Sequence, residues 1–253
     1  MFADADLSED GFLGGRLRIW QPRAGYRAAM DPVLLAAACP AVAGQGVLEL
    51  GCGAGVASLC LGHRVPGIAL TGLELQPAYA GLARRNAERN GIALTVIEGD
   101  LAAVPAGLRA QSFDHVIANP PYFSAQSGTA ARDPGRETAQ REETPLAGWL
   151  DAGLRRLRPG GLLTLIQTAE RLPDVLAPLA GRAGDITVLP IAPRHARAAG
   201  RVVVQARKGA RGAFRLLAPF VLHAAPSHDF DGEDLAPEAR AILRDGGALP
   251  IRR

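Results

Sequence analysis

The sequence predicts an α/β fold: an open, doubly wound, mostly parallel sheet with helices on both faces and antiparallel strands near the C-terminus. Three observations carry this expectation. From residue 31 short apolar runs alternate with helix-length segments, as repeated βα units do. A glycine-rich turn, Gly51-Cys52-Gly53-Ala54-Gly55, directly follows the first of those runs. From Asp185 the alternation gives way to Val/Ile/Leu runs joined by Arg/Gly-rich loops.

Taken in order, Asp31-Pro32 reads as a cap followed by the first helical position, opening a helix through Val33 and Leu34 that Pro40 ends or kinks. Gly46–Leu50 is short, apolar and closed by the glycine turn, as a buried parallel strand is. A helix to Gly62 follows, then a strand over Ile68–Glu74 and a helix opened by Pro77 and stopped by Gly91. Strands over Leu94–Glu98 and Phe113–Ala118 end where polar or proline residues begin. Thr144-Pro145 caps a helix running to Leu157. The Pro159-Gly160-Gly161 turn feeds a strand over Leu162–Gln167, and another helix ends near Gly181. The expected organisation is a single domain over 1–253, with a lead-in over 1–30, the α/β core over 31–222 and a tail over 223–253.

Composition narrows the function classes. With 253 residues, 48% hydrophobic and 21% charged, the chain is long and apolar enough to bury a core without staples. No stretch approaches the roughly 18 apolar residues of a membrane helix. The acidic opening, MFADADLSEDGF, has neither the basic nor the apolar region of a secretory signal. Three cysteines, an odd number in apolar surroundings, point to reduced thiols and a cytoplasmic address. They make no zinc spacing with the scattered histidines, and no metal is expected. Asp229 to Asp234 resembles a calcium loop only superficially, because Arg240 stands where the bidentate glutamate belongs. Of the 28 basic residues, Lys208 is the single lysine. Coding bias explains that as well as a binding face does, so the net charge of +3 says less than where the arginines sit.

The glycine turn lets backbone pass close to a ligand at a helix N-terminus. Val56 stands where a dinucleotide fingerprint places its last glycine; the pattern here is G-x-G-x-G with Glu49 two residues ahead. Glu74, at the end of the second core strand, is placed to accept hydrogen bonds from ribose hydroxyls. Asp100, after the third, can receive an adenine amino group. Together these residues resemble the cofactor motifs of class I S-adenosylmethionine-dependent methyltransferases over residues 46–190. That resemblance implies a Rossmann-like, seven-stranded sheet and S-adenosylmethionine as cofactor. It assigns Glu49, Gly51, Cys52, Gly53, Gly55, Glu74 and Asp100 to holding the cofactor, with Asn119 beside it.

Asn119-Pro120-Pro121-Tyr122 closes the fourth core strand on the edge that carries the glycine turn. Two successive prolines cannot continue a strand and fix the backbone rigidly. Such a turn suits one chemical problem. The lone pair of a base or amide NH2 is delocalised into a π system and is a poor nucleophile. The Asn119 side-chain oxygen and the Pro120 carbonyl can accept both hydrogens and steer the nitrogen towards tetrahedral geometry, which is orientation plus preorganised electrostatics. Tyr122 would stack on the planar group. Methyltransferases with this motif act on adenine N6, guanine N2 of ribosomal RNA or glutamine N5 of proteins, and the motif alone leaves those acceptors open.

The lead-in from Gly14 to Leu35, the arginine-rich segments and the tail Pro237–Asp245 resemble bacterial tRNA1(Val) adenine-37 N6-methyltransferases. The resemblance implies an adenine of the tRNA anticodon loop as acceptor, and places Asp31 and Arg27 near the methionine end of the cofactor. Residues 194–215 hold six arginines and Lys208 with no acid. Arg194, Arg197, Arg201, Arg207, Lys208 and Arg211 are therefore candidates for running along an RNA backbone. Arg132, Arg136 and Arg141 add a second basic set in the loop after Tyr122. That loop, 123–144, is long enough to be either functional or disordered, and it is expected to order on RNA.

Overall fold

The computed structural model describes residues 2–124, 141–142, 144–225 and 234–251. The lead-in is a hairpin, with β1 (Leu7–Phe12) antiparallel to β2 (Leu17–Pro22). β2 alternates in period two, with Leu17, Ile19 and Gln21 buried and Arg18 exposed, as a strand with one face on a core must. Trp20 pins the hairpin to the body of the fold. Its ring carries the guanidiniums of Arg85 and Arg89 at 4.5 and 4.7 Å from the centroid. The Asn86 side chain accepts from the Trp20 N–H (2.8 Å) and donates to the Trp20 carbonyl (3.0 Å).

The core elements follow as α1 (Asp31–Ala38), β3 (Gly46–Leu50), α2 (Val56–Arg64), β4 (Ala69–Glu74), α3 (Pro77–Arg89), β5 (Leu94–Glu98), α4 (Ala106–Arg109) and β6 (Phe113–Ala118). Two-residue strands β7 (Phe123–Ser124) and β8 (Arg141–Glu142) pair with each other. Then come α5 (Leu146–Arg156), β9 (Leu157–Thr168), α6 (Leu172–Leu176), β10 (Ala183–Ala192), β11 (Arg201–Lys208), β12 (Arg215–Leu216), β13 (Phe220–Val221) and α7 (Pro237–Leu243). The large sheet has the order β12-β10-β11-β9-β6-β3-β4-β5, with β13 also beside β10. Seven of its strands are five residues or longer. One face is packed by α1, α2 and α7 through Leu34, Leu59 and Ile242, the other by α5 and α6 through Leu150, Leu154 and Val175. Helices thus cover both faces, as a doubly wound sheet requires.

Several local expectations need correction. The structure puts Met30 at the N-cap of α1 and Asp31 inside its first turn, with no side-chain cap; the Asp31 carboxylate is turned elsewhere. Pro40 does end α1 as expected: the helix stops at Ala38, because a residue before proline disfavours helical dihedrals, and Cys39 is extended. α5 begins after Pro145, and Thr144 makes no cap. The Pro159-Gly160-Gly161 turn lies within β9, which already pairs with β6 at Leu157. The β6–β9 ladder then breaks and resumes at His115 and Leu162. Gly160, at φ +75, lets the surplus residues bulge there. The expected antiparallel pairing near the C-terminus is present: β11 runs against β9 and β10, while the short β12 and β13 lie parallel to β10.

Candidate active site

The site lies where strand order reverses. β3 has β4 on one side and β6 on the other, and Leu50 stands in register with both Leu73 and Ala118. The next residues, Gly51, Glu74 and Asn119, therefore lie side by side at the carboxyl edge of the sheet, the usual crevice for a ligand in an open α/β sheet. They share a cavity lined by Tyr26, Glu49, Cys52, Gly53, Leu75, Asp100, Leu101, Pro120, Pro121, Tyr122 and Trp149.

Gly51 takes φ +63, and a Cβ there would stand 2.5 Å from Cη2 of Trp149. Gly55, at φ +86, caps α2. Glu49 is buried behind the turn, where Oε2 accepts from the Ser58 N–H (2.9 Å) and hydroxyl (2.5 Å). Burial pushes its carboxyl up to about 8 despite those two bonds, and nearby Glu74 adds to the rise. Glu74 spans the turn: Oε2 accepts from the Gly53 N–H (2.8 Å) and Oε1 from the Gln76 N–H (2.9 Å). Burial raises its carboxyl too, against the pull of those amides. Each oxygen keeps a further lone pair for a hydroxyl donor. Asp100 is half-buried and accepts from the Ala102 N–H (2.8 Å). The Cys52 side chain packs over Gly72, beside Ala80, Ala83 and Val96. Burial drives its thiol far up.

Asn119 sits between two tyrosines. Its Nδ2 donates to the Tyr26 hydroxyl (3.4 Å), and its Oδ1 lies 3.2 Å from the Tyr122 hydroxyl. Tyr122 has one proton and donates it to Asp31 in a short bond, the stronger choice because that acceptor is charged. Asn119 Oδ1 is thereby left as a free acceptor. Asp31 also accepts from Arg201 Nε (3.1 Å), and the Arg201 guanidinium lies over the Tyr122 ring, 4.6 Å from its centroid. Burial first, then Asp31, holds the Tyr122 hydroxyl protonated. Arg27, in contrast, is bound into the hairpin by Ser8, Asp10 and the Pro22 carbonyl.

The basic segments divide. Arg132 and Arg136 lie outside the described residues, as does the Arg141 side chain. Arg194 is not a free cation: it pairs with Asp234 at 2.7 Å, donates to the Ala225 carbonyl and is 14% exposed. Arg197 is exposed on the loop between β10 and β11, and Arg201 opens β11 at the carboxyl edge, opposite Thr168 of β9. Arg207, however, is opposite Leu162, and seven strand residues carry it and Lys208 about 20 Å away. There Arg207 donates to the Gly160 carbonyl (2.6 Å) and Lys208 to the Leu157 carbonyl (2.7 Å), with Arg211 just beyond. The expected continuous basic face is thus split between opposite edges of the sheet.

Tyr26, Trp149 and Gln167 join the site without having been singled out from the sequence. Gln167 alone had a legible signal, as an amide in the apolar run Leu162–Thr168 that must find partners when buried.

The sequence matches the methyltransferase small domain family over residues 31–177. It is 34% identical over 178 residues to the tRNA1(Val) (adenine(37)-N6)-methyltransferase of Porphyromonas gingivalis, covering 67% of this chain and 69% of that one. With the Yersinia pestis protein of the same name it shares 31% identity over 137 residues, 53% of this chain and 54% of that one. Among solved structures, a predicted O-methyltransferase, Atu636 of Agrobacterium tumefaciens, superposes with a TM-score of 0.71 at 26% identity over 87% of this chain and 98% of that one. The M protein of the EcoKI restriction enzyme shares the fold alone, with a TM-score of 0.57 at 17% identity over 90% of this chain and 56% of that one.

Proposed function

Because the chain belongs to the methyltransferase small domain family, we propose that it methylates the N6 amine of an adenine in tRNA, at position 37 of tRNA1(Val). S-adenosylmethionine, as methyl donor, supplies an electrophilic methyl group. The cavity fits it: glycine backbone for close approach, the Glu74 and Asp100 carboxylates for hydroxyl and amino groups, and Leu75, Leu101 and Trp149 as apolar wall. The observation that carries the reading is Asn119, whose Oδ1 stays free beside the Pro120-Pro121 turn and next to the glycine loop. Asn119 Oδ1 and the Pro120 carbonyl accept the two hydrogens of the amine and turn its lone pair out of the ring plane. No strong base is needed before attack, and the methylated amine then sheds one proton. Arg201 covers one face of Tyr122, so the base stacks on the other. Arg197, on the same edge, meets the RNA backbone.

Both curated relatives carry the adenine-37 name, which favours RNA over a protein glutamine. No described helix is long and apolar enough to cross a membrane, and we place the activity in the cytoplasm, where tRNA is modified. The test is to incubate the protein with methyl-labelled S-adenosylmethionine and unmodified tRNA and identify the labelled nucleoside by mass spectrometry. N6-methyladenosine is expected; label in protein glutamine or in guanosine would replace the reading. Asn119→Ala should abolish turnover and leave cofactor affinity unchanged, and lost affinity would contradict its role.

A further inference from the structure

We propose that Gln167 is a positioning residue for methyl transfer: its side-chain amide sets the direction of the Pro120 and Pro121 carbonyls, and through the first of these the pose of the acceptor amine. The inference rests on the amine-methylation reading above and adds to it a residue that touches neither substrate nor cofactor.

The argument begins with the end of a ladder. β6 and β9 pair in register as far as Ala118 and Leu165. Beyond that point β6 turns away through two prolines. Their carbonyls lose the N–H groups that a continuing strand would have offered, yet buried carbonyls need donors. Gln167, two residues further along β9, is fully buried. Its Nε2 lies 3.1 Å from the Pro121 carbonyl oxygen and 3.5 Å from that of Pro120. Its Oε1 accepts from the Thr168 N–H at 2.8 Å. A backbone N–H can only donate, so the oxygen must face Thr168, and the NH2 necessarily faces the prolines. The side chain thus takes over where the backbone ladder stops.

An apolar residue at 167 would be the ordinary choice for a fully buried position in this strand, as at Leu165 and Ile166. Burying an amide instead costs desolvation and rotamer freedom. Two fixed carbonyls offset that cost, and one belongs to the group that receives an amine hydrogen. A carbonyl oxygen has two lone pairs, so the contact from Gln167 leaves the other lone pair of Pro120 for the amine. Without the amide donor the Pro120-Pro121 peptide can rotate by several degrees, which matters because transfer needs near-attack geometry.

The experiment compares wild type, Gln167→Met and Gln167→Glu. Methionine keeps the length and volume but removes the donor. A glutamate, fully buried and facing two carbonyl oxygens, keeps its proton and can still donate one hydrogen to them. Methyl transfer to unmodified tRNA is measured with S-adenosylhomocysteine binding by calorimetry, and kcat is normalised to the fraction of protein that binds. The expected result for Gln167→Met is a 10- to 100-fold lower kcat, with KM for S-adenosylmethionine and affinity for S-adenosylhomocysteine within twofold of wild type. Gln167→Glu, which restores one donor, should recover part of the kcat lost in Gln167→Met, with the same cofactor affinity. Unchanged kcat in Gln167→Met overturns the proposal. So does loss of cofactor binding in both variants, which would make the residue part of the scaffold. A wild type that forms no N6-methyladenosine sinks the functional reading as well, so the two failures are told apart by the control.

Discussion

Glu49 offers the sharpest thermodynamic test of the site. Its carboxyl is buried behind the glycine turn and titrates near 8 in the folded protein, against 4.5 for an unperturbed side chain. A carboxyl raised in this way binds its proton more tightly folded than unfolded. Between pH 4.5 and 8 the unfolded chain therefore holds fewer protons, and stability falls as pH rises through that window. The slope approaches 1.4 kcal/mol per pH unit, and the full penalty above pH 8 is about 5 kcal/mol. Glu49→Gln keeps an oxygen for the Ser58 N–H and hydroxyl but cannot ionise. Its stability relative to wild type should then rise by about 2 to 3 kcal/mol between pH 5.5 and 7.5. Urea unfolding of both proteins at the two pH values, at fixed ionic strength, reads this directly. Glu74 remains in both proteins, so its own raised carboxyl largely cancels in the comparison. A difference between the two proteins that is constant across the range would refute the reasoning, because it would mean that Glu49 is already ionised in the folded state at pH 5.5.

Two further outcomes follow from contacts at the sheet edges. Gly51→Ala should destabilise by about 2–4 kcal/mol, combining about 1–2 for a left-handed non-glycine residue with overpacking against Trp149. In a urea double-mutant cycle, Trp149→Ala should relieve only the overpacking part, and additivity would deny the clash. Arg197→Ala should weaken tRNA binding and flatten its salt dependence by about one phosphate contact, whereas Arg211→Ala, at the far edge, should change neither; equal losses in filter binding would restore a continuous basic face.

What the sequence made legible is what local backbone chemistry dictates. Glycines mark the end of β3 because the turn there needs positive φ, prolines mark the end of β6 because they cannot continue a ladder, and acidic residues at the ends of β4 and β5 are visible once the strands are placed. Parallel strands end at one edge, so these four points converge without any knowledge of side-chain packing. The same reasoning fails where an element crosses the sheet. Arg201 and Lys208 lie in one basic stretch, but the stretch is a strand, and a strand separates its ends instead of gathering them.

It fails for a second reason at Asp31. An aspartate before Pro32 satisfies every local rule for a helix cap, and local rules contain nothing about Tyr122 or Arg201, 91 and 170 residues away. Whether the carboxylate caps a helix or receives a tyrosine proton is decided by which charge reaches it. Here a guanidinium arrives from β11, and a charged pair outcompetes a backbone amide. The consequence spreads to Asn119. Had Asp31 capped α1, the Tyr122 proton would have gone to Asn119 Oδ1 at 3.2 Å, occupying one of that oxygen's two lone pairs and fixing the direction left for an amine. The non-local ion pair is thus what leaves both lone pairs of Asn119 Oδ1 open to the amine.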